Sequence, residues 1–356
     1  MRRRFGFVVG TLVAWAGMSL AAVPAAAQSA TPFFAGKTIN VYVGFTAGGN
    51  YDFYARLLAE FVGRHIPGNP QLLVQNRPGA GSRNAANYVY NVAPKDGTAW
   101  ATTTNLLPLF QVLDPANVKF DLTKAQWIGN MVELNSVIAV WHTVPANTLE
   151  DATKQEIIVG STGRGGETYI LPAMMNAVLG TKFKIVLGYP GINEIDVAME
   201  KGELHGRDGS WANLYQQRPD WLREKKVKLL VQIGIKRDPA LPNLPLLTEL
   251  ARNDEERAML SLVSGYPVMS RAFYLPAGVP EARVKELRDA FDATMKDPVF
   301  LKAAKARNAE ISPNSGEAIQ KYVHTYSALT PEMIAKARKA LNLDSKEGRG
   351  AKGKKK

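Results

Sequence analysis

Three glycine-rich turns constrain this chain more than any other feature, because each runs from an apolar, strand-like stretch straight into an amphipathic helix. They are Gly-Phe-Thr-Ala-Gly-Gly-Asn at 44–50, Asn-Arg-Pro-Gly-Ala-Gly-Ser at 76–82 and Ser-Thr-Gly-Arg-Gly-Gly at 161–166. Strand, turn and helix repeated along one chain call for α/β architecture. Each turn also presents free backbone N–H groups at the positive end of a helix dipole, which seats an anion without a charged side chain. Three such turns point to an oxyanion site, a carboxylate being the simplest occupant.

The stretches between the turns extend the pattern. Residues 39–43 and 72–74 read as strands, with helices over 51–66 and 83–91; Pro67-Gly68 closes the first helix. Further strands are expected at 98–102, near 137–141, and at 157–159, 183–187, 204–207, 227–235 and 272–275. Helices are expected at 167–179 and 192–201. Four more close the chain, at 280–296, 298–307, 316–328 and 331–341, three of them opening on a proline suited to a first turn. This predicts an α/β chain of two lobes, each a mixed sheet flanked by helices. The first lobe (28–140 with 266–344) resumes after the second (141–265), so two crossings near residues 140 and 266 form a hinge.

The ends carry a different signal. Arg2, Arg3 and Arg4, an apolar run from Phe5 to Val23 and the small residues Ala25, Ala26 and Ala27 make a secretory signal peptide over 1–27. The formal charge of +12 falls to +4 once those three arginines and the net +5 of the tail 345–356 are set aside. That glycine-interleaved tail reads as disordered, and without interleaved aromatics it does not argue for nucleic acid. The chain has no cysteine, which excludes disulfides and thiolate chemistry. His65, His142, His205 and His324 lack metal-ligand spacing, no Gly-x-Ser-x-Gly elbow exists, and the third turn lacks the Lys-Ser/Thr of a nucleotide loop. No metal, no cofactor and no catalytic set is expected.

Read in order, the short motifs resemble a known family. They are Gly-Phe-Thr-Ala-Gly-Gly-Asn-Tyr-Asp at 44–52, Asn-Arg-Pro-Gly-Ala-Gly at 76–81, Lys-Asp-Gly-Thr at 95–98, Tyr-Pro-Gly at 189–191, Leu-Pro-Asn-Leu-Pro at 241–245 and Leu-Pro-Ala-Gly-Val-Pro at 275–280. Together they resemble the solute-binding receptors of tripartite tricarboxylate transporters, the Bug receptors. The resemblance implies a monomeric periplasmic receptor of type II-like fold that closes over a small organic acid and hands it to membrane permease subunits, or, in some members, serves signalling. It also implies contacts to the ligand carboxylate from Thr46, Ala47, Gly48, Gly49, Gly79, Ala80, Gly81 and Ser82 on the first lobe. Ser161, Thr162 and Tyr189 would complete the cage from the second.

Several residues are singled out on chemical grounds. Tyr51 can stack over the ligand's carbon skeleton, whereas Asp52, in a helix's first turn, reads as structural. The far end of the ligand is left to Arg164, Arg207 or Asp208. An arginine would favour a dicarboxylate; Asp208 would favour an amino or amide group. Arg207 and Asp208 are adjacent in a strand-like stretch, so both cannot face one cleft if the strand is regular.

Overall fold

The computed structural model describes Met1 and residues 31–344. The expected signal peptide, apart from Met1, and the tail 345–356 lie outside the described residues. Among those described, eleven strands form two mixed sheets. The first holds β1 (Thr38–Val43), β2 (Gln71–Asn76), β3 (Ala99–Thr102), β4 (Gln126–Asn130), β10 (Ala272–Leu275) and β11 (Asn314–Ser315), in the order β11-β4-β10-β3-β1-β2. The second holds β5 (Ser136–Trp141), β6 (Ile157–Ser161), β7 (Phe183–Leu187), β8 (Gly206–Ser210) and β9 (Val227–Ile233), in the order β7-β6-β8-β5-β9. The chain leaves the first sheet after Asn130, enters the second at Ser136 and returns between Ile233 and Ala272. This is the bilobed fold of type II periplasmic binding proteins.

Each sheet is parallel where the glycine turns leave it. β1 pairs parallel with β2 and β3, and Val43 stands opposite both Asn76 and Thr102. The three strands therefore end level, and the loops after them emerge together at the carboxyl edge, where open α/β sheets bind ligands. β6 likewise runs parallel to β7 and β8. Ile39, Val41, Trp100 and Phe273 are fully buried, giving the first sheet an apolar face for the helices Asn50–Phe61 and Glu281–Lys296.

Some expected elements shift. The strand read at 204–207 instead spans Gly206–Ser210, a polar run that apolar periodicity does not mark. Leu204, the residue that suggested it, is buried against the helix Ile192–Glu200 just before the strand begins. The first long helix ends at Phe61 and tightens into a 3-10 turn over Val62–His65. The helix Asp254–Ser264 was not anticipated, although Asn253 caps it by accepting from the Glu256 amide and three acids fill its first turn. Finally, the terminal helix Pro331–Ala340 packs on the second lobe's helix Glu167–Leu179, and the Tyr169 hydroxyl donates to the Leu341 carbonyl at 3.0 Å.

Candidate functional site

The first turn is tied shut by its own acid. Asp52 accepts from the Gly48 amide at 2.9 Å, from Arg56 at 2.8 Å and from the Asn76 amide group at 2.9 Å, joining turn one to the end of β2. Burial pushes its carboxyl upward, but these donors and the Arg56 charge together hold it below the usual carboxylate range. The second turn is a run of four left-handed residues: φ is +114° at Gly79, +52° at Ala80, +62° at Gly81 and +67° at Ser82. Ala80 and Ser82 each carry about 1 kcal/mol of backbone strain there. The Ser82 hydroxyl donates to the Gly44 carbonyl and accepts from the Thr104 amide, fixing turns one and two against the loop after β3.

Turns two and three are pressed against each other, closing the two lobes. The Gly81 amide donates to the Thr162 carbonyl at 3.0 Å. A methyl group added at Gly81 would stand 2.8 Å from the Gly166 nitrogen, and one at Gly163 would stand 2.5 Å from the Gly81 nitrogen. Glycine is required at both places because backbone meets backbone. Turn one closes on the second lobe as well: the Thr46 hydroxyl donates to Glu194 at 3.3 Å, and a methyl group at Gly191 would meet it at 2.2 Å.

Between these contacts lies a cleft with about 570 Å³ of empty space, counting its solvent-open mouth. Three charged side chains line it: Glu167, Asp208 and Arg271. Arg271 immediately precedes β10, is 3% exposed and adopts φ +57°, a conformation a long side chain rarely accepts. Its Nε donates to Asn50 at 2.5 Å and its Nη2 to the Ser210 hydroxyl at 2.7 Å, one partner on each lobe. Its guanidinium lies 4.4 Å from the centre of the Tyr51 ring, which also stacks on Phe45. Strain held at a buried, cleft-lining arginine marks a residue kept for its chemistry.

Glu167 reaches across the cleft. Its Oε1 accepts from the Asn105 amide at 2.9 Å and the Thr104 hydroxyl at 3.1 Å, and lies 3.0 Å from the Tyr51 hydroxyl. That hydroxyl also lies 2.7 Å from Asn105 Oδ1, and its single proton serves one of the two acceptors. Burial, with the Glu167 charge second, pushes the Tyr51 phenol well above its ordinary value. The first lobe thus already holds one carboxylate in this place, presented by the second.

Arg207 and Asp208 separate as strand alternation requires. Arg207 turns under β8, where its Nε stands 2.7 Å from Asp196 Oδ1, with the N–H pointing off that line, and its Nη2 donates to Asn213 Oδ1 at 2.8 Å. Arg218 adds a second cation 3.0 Å from Asp196. Asp208 faces the cleft, is 1% exposed, and neither of its oxygens has a hydrogen-bond partner. Burial first, then the Glu167 charge, pushes its carboxyl well above the carboxylate range, against the pull of Arg207 and of the nearby Gly209 amide and Ser136 hydroxyl. Asn213 also lines the cleft. Because Arg207 fixes its oxygen, its buried and unpartnered Nδ2 is the end left to donate.

Of the residues singled out from sequence, Thr46, Gly49, Tyr51, Thr162 and Asp208 line the cleft together. Ala47, Gly48, Gly79, Ala80, Gly81, Ser82 and Ser161 build the turns around it and are not in its lining. Ser161 and Thr162 share the Thr168 hydroxyl in an internal network. Arg164 donates to the Tyr169 hydroxyl at 2.7 Å, Tyr189 packs with the second-lobe core, and Arg207 lies beneath β8; these three are also outside the lining. Sequence reasoning missed Arg271, Glu167, Thr104 and Asn213. For Arg271 a signal existed: it is a charge at the head of an otherwise apolar strand.

The model of the family described as "Tripartite tricarboxylate transporter family receptor" matches residues 55–338. A UPF0065 protein in the gbd 5′ region of Cupriavidus necator is 28% identical over 306 residues, covering 84% of this chain and 86% of that protein. Among solved structures, the periplasmic binding protein BugD superimposes with a TM-score of 0.67 at 23% identity, covering 86% of this chain and 98% of that one. MatC from Rhodopseudomonas palustris with bound malate gives a TM-score of 0.66 at 19% identity, covering 86% and 99%. Among the described residues no acidic or histidine cluster fit for a metal is present, and no helix is long and apolar enough to cross a membrane. By the span of the family match, this chain belongs to the receptor family of tripartite tricarboxylate transporters.

Proposed function

We propose that the protein captures a small carboxylate in this cleft and presents the closed form to membrane permease subunits. It acts in the periplasm as a monomeric receptor rather than an enzyme, and residues 1–27 serve as an export signal cleaved after Ala27. The two sheets are the centres of two lobes, hinged at the segments 131–135 and 265–271. The observation that carries this reading is Arg271: a buried cation, lining the cleft, with one hydrogen-bond partner on each lobe. Its guanidinium is fixed in orientation and keeps further N–H donors, and the Asn213 Nδ2 adds an unpartnered donor on the opposite lobe. A carboxylate arriving between them makes contacts to both lobes at once. That differential interaction is what allows a ligand to favour closure.

The likeness to MatC, whose structure holds malate, and to a Rhodopseudomonas palustris protein holding adipate supports an organic acid as the ligand class. Calorimetry with a panel of small carboxylates tests the reading. The expected result is saturable binding of at least one acid by the wild type and at least a 100-fold loss in Arg271→Met, whose folding is checked by circular dichroism. Full affinity in a folded Arg271→Met would remove Arg271 from the site and leave the reading without its main support.

A further inference from the structure

We propose that the ligand carries an ammonium group as well as a carboxylate, and that Asp208 is the residue that recognises the ammonium. This rests on the carboxylate-receptor reading above. The starting observation is an acid with nothing to hold: Asp208 lines the cleft, is 1% exposed, and has no hydrogen-bond partner on either oxygen. A buried carboxyl left in that state is costly unless a partner arrives. The Gly209 amide and Ser136 hydroxyl are near enough to favour the ionised form but fall short of bonding geometry. Tyr266, whose buried hydroxyl is also unpartnered, adds no bond to it. Asp208 therefore takes its donors from whatever enters the cleft.

Charge narrows the class. The cleft is lined by two acids, Glu167 and Asp208, and one arginine. Glu167 is already held by donors of the first lobe, so Arg271 is the cation left for a ligand carboxylate. A dicarboxylate would bring a second negative charge beside both acids with no further cation in the lining. A neutral hydroxyl would satisfy one Asp208 oxygen and leave the other without a donor. An ammonium supplies up to three donors and the opposite charge together, and any proton on Asp208 leaves to solvent as it binds. Asp208 lies in β8 of the second sheet and Arg271 at the head of β10 in the first. An aminocarboxylate would thus be gripped at one end from each sheet, making closure depend on both groups.

The test compares matched pairs that differ only in the amine: alanine with propionate, valine with isovalerate, glutamine with glutaramate, and γ-aminobutyrate with butyrate, with succinate and malate alongside. Calorimetry on the wild type should show at least one amine-bearing member binding at least tenfold tighter than its partner and tighter than either dicarboxylate. In Asp208→Asn that ratio should fall to within threefold. Should Asp208→Asn fail to fold, the wild-type ratios decide alone. Amine-free acids that bind as tightly as their amine-bearing partners, or a ratio unchanged in Asp208→Asn, would overturn this proposal while leaving the carboxylate receptor standing. If no acid in the panel binds, with or without an amine, both readings fall.

Discussion

Two buried acids of the second lobe, Asp196 on the helix Ile192–Glu200 and Asp208 on β8, meet opposite arrangements beside the same arginine. Asp196, fully buried, faces two arginines at 2.7 and 3.0 Å. Asp208, 1% exposed, has no partner at all. Arg207, next to Asp208 in sequence and to Asp196 in space, is committed to Asp196 and to the orientation of Asn213. Burial raises the Asp196 carboxyl and lowers the Arg207 guanidinium, and the two cations beside that carboxylate pull against the rise. The difference separates scaffold from site: the paired acid holds β8 to the helix behind it, and the unpaired acid looks into the cleft. Stability is forgone where a ligand can supply what is missing.

The scaffold acid depends on Arg207. Arg207→Met leaves Asp196 with Arg218 alone, whose side chain is 26% exposed. Removing one partner of a buried ion pair costs about 3–5 kcal/mol, measurable as a lower midpoint in urea unfolding. A loss below about 1 kcal/mol would mean that Asp196 behaves as a surface acid, and the contrast with Asp208 would disappear.

A smaller effect concerns the third acid, Glu167, which lies between the two cases because its partners sit on the other lobe. Glu167→Gln keeps the shape but replaces charge-assisted bonds from Asn105 and Thr104 with neutral ones. The closed form should weaken by about 1–2 kcal/mol. Small-angle scattering of the ligand-free variant should then show a larger radius of gyration than the wild type. An unchanged radius would assign closure to the turn contacts at Gly81 and Gly163 instead.

Much of the fold was legible because strand and helix periods are local signals. The helices Arg83–Asn91 and Glu167–Leu179 and the strand Phe183–Leu187 stand where apolar spacing put them. The polar strand Gly206–Ser210 was displaced because its side chains obey the cleft and the Asp196 pair, not an apolar face. In the site, the glycine turns were visible but their work was only half readable. Glycine at 81 and 163 could be read as room for a ligand, whereas what stands there is the backbone of the other lobe. Whether a glycine faces ligand or protein depends on how two distant segments meet, which no local pattern encodes. Arg271 and Glu167 escaped for the same reason: each acquires its role from partners more than sixty residues away in sequence, apart from the near packing that periodicity detects.

The two acids also part in their response to pH. Burial and the Glu167 charge raise the Asp208 carboxyl in the folded protein above its unfolded value of about 3.9. For an acid raised by folding, the stability contribution is complete below the unfolded value and is lost as pH climbs from there toward the folded one. Asp208→Asn removes this loss while keeping the side chain's shape and polarity. In ligand-free protein the variant should therefore melt a few degrees above the wild type at pH 7.5, with the gap closing as pH falls to about 3, below the unfolded value, where the wild-type carboxyl is mostly neutral in both states. Differential scanning calorimetry at the two pH values reads it directly. Asp196→Asn supplies the contrast, since it leaves Arg207 buried without its acid and should melt lower than the wild type at pH 7.5. A variant at position 208 that also melted lower at pH 7.5 would show that Asp208 is held by the protein as Asp196 is, and the division between scaffold acid and site acid would fail at its most exposed point.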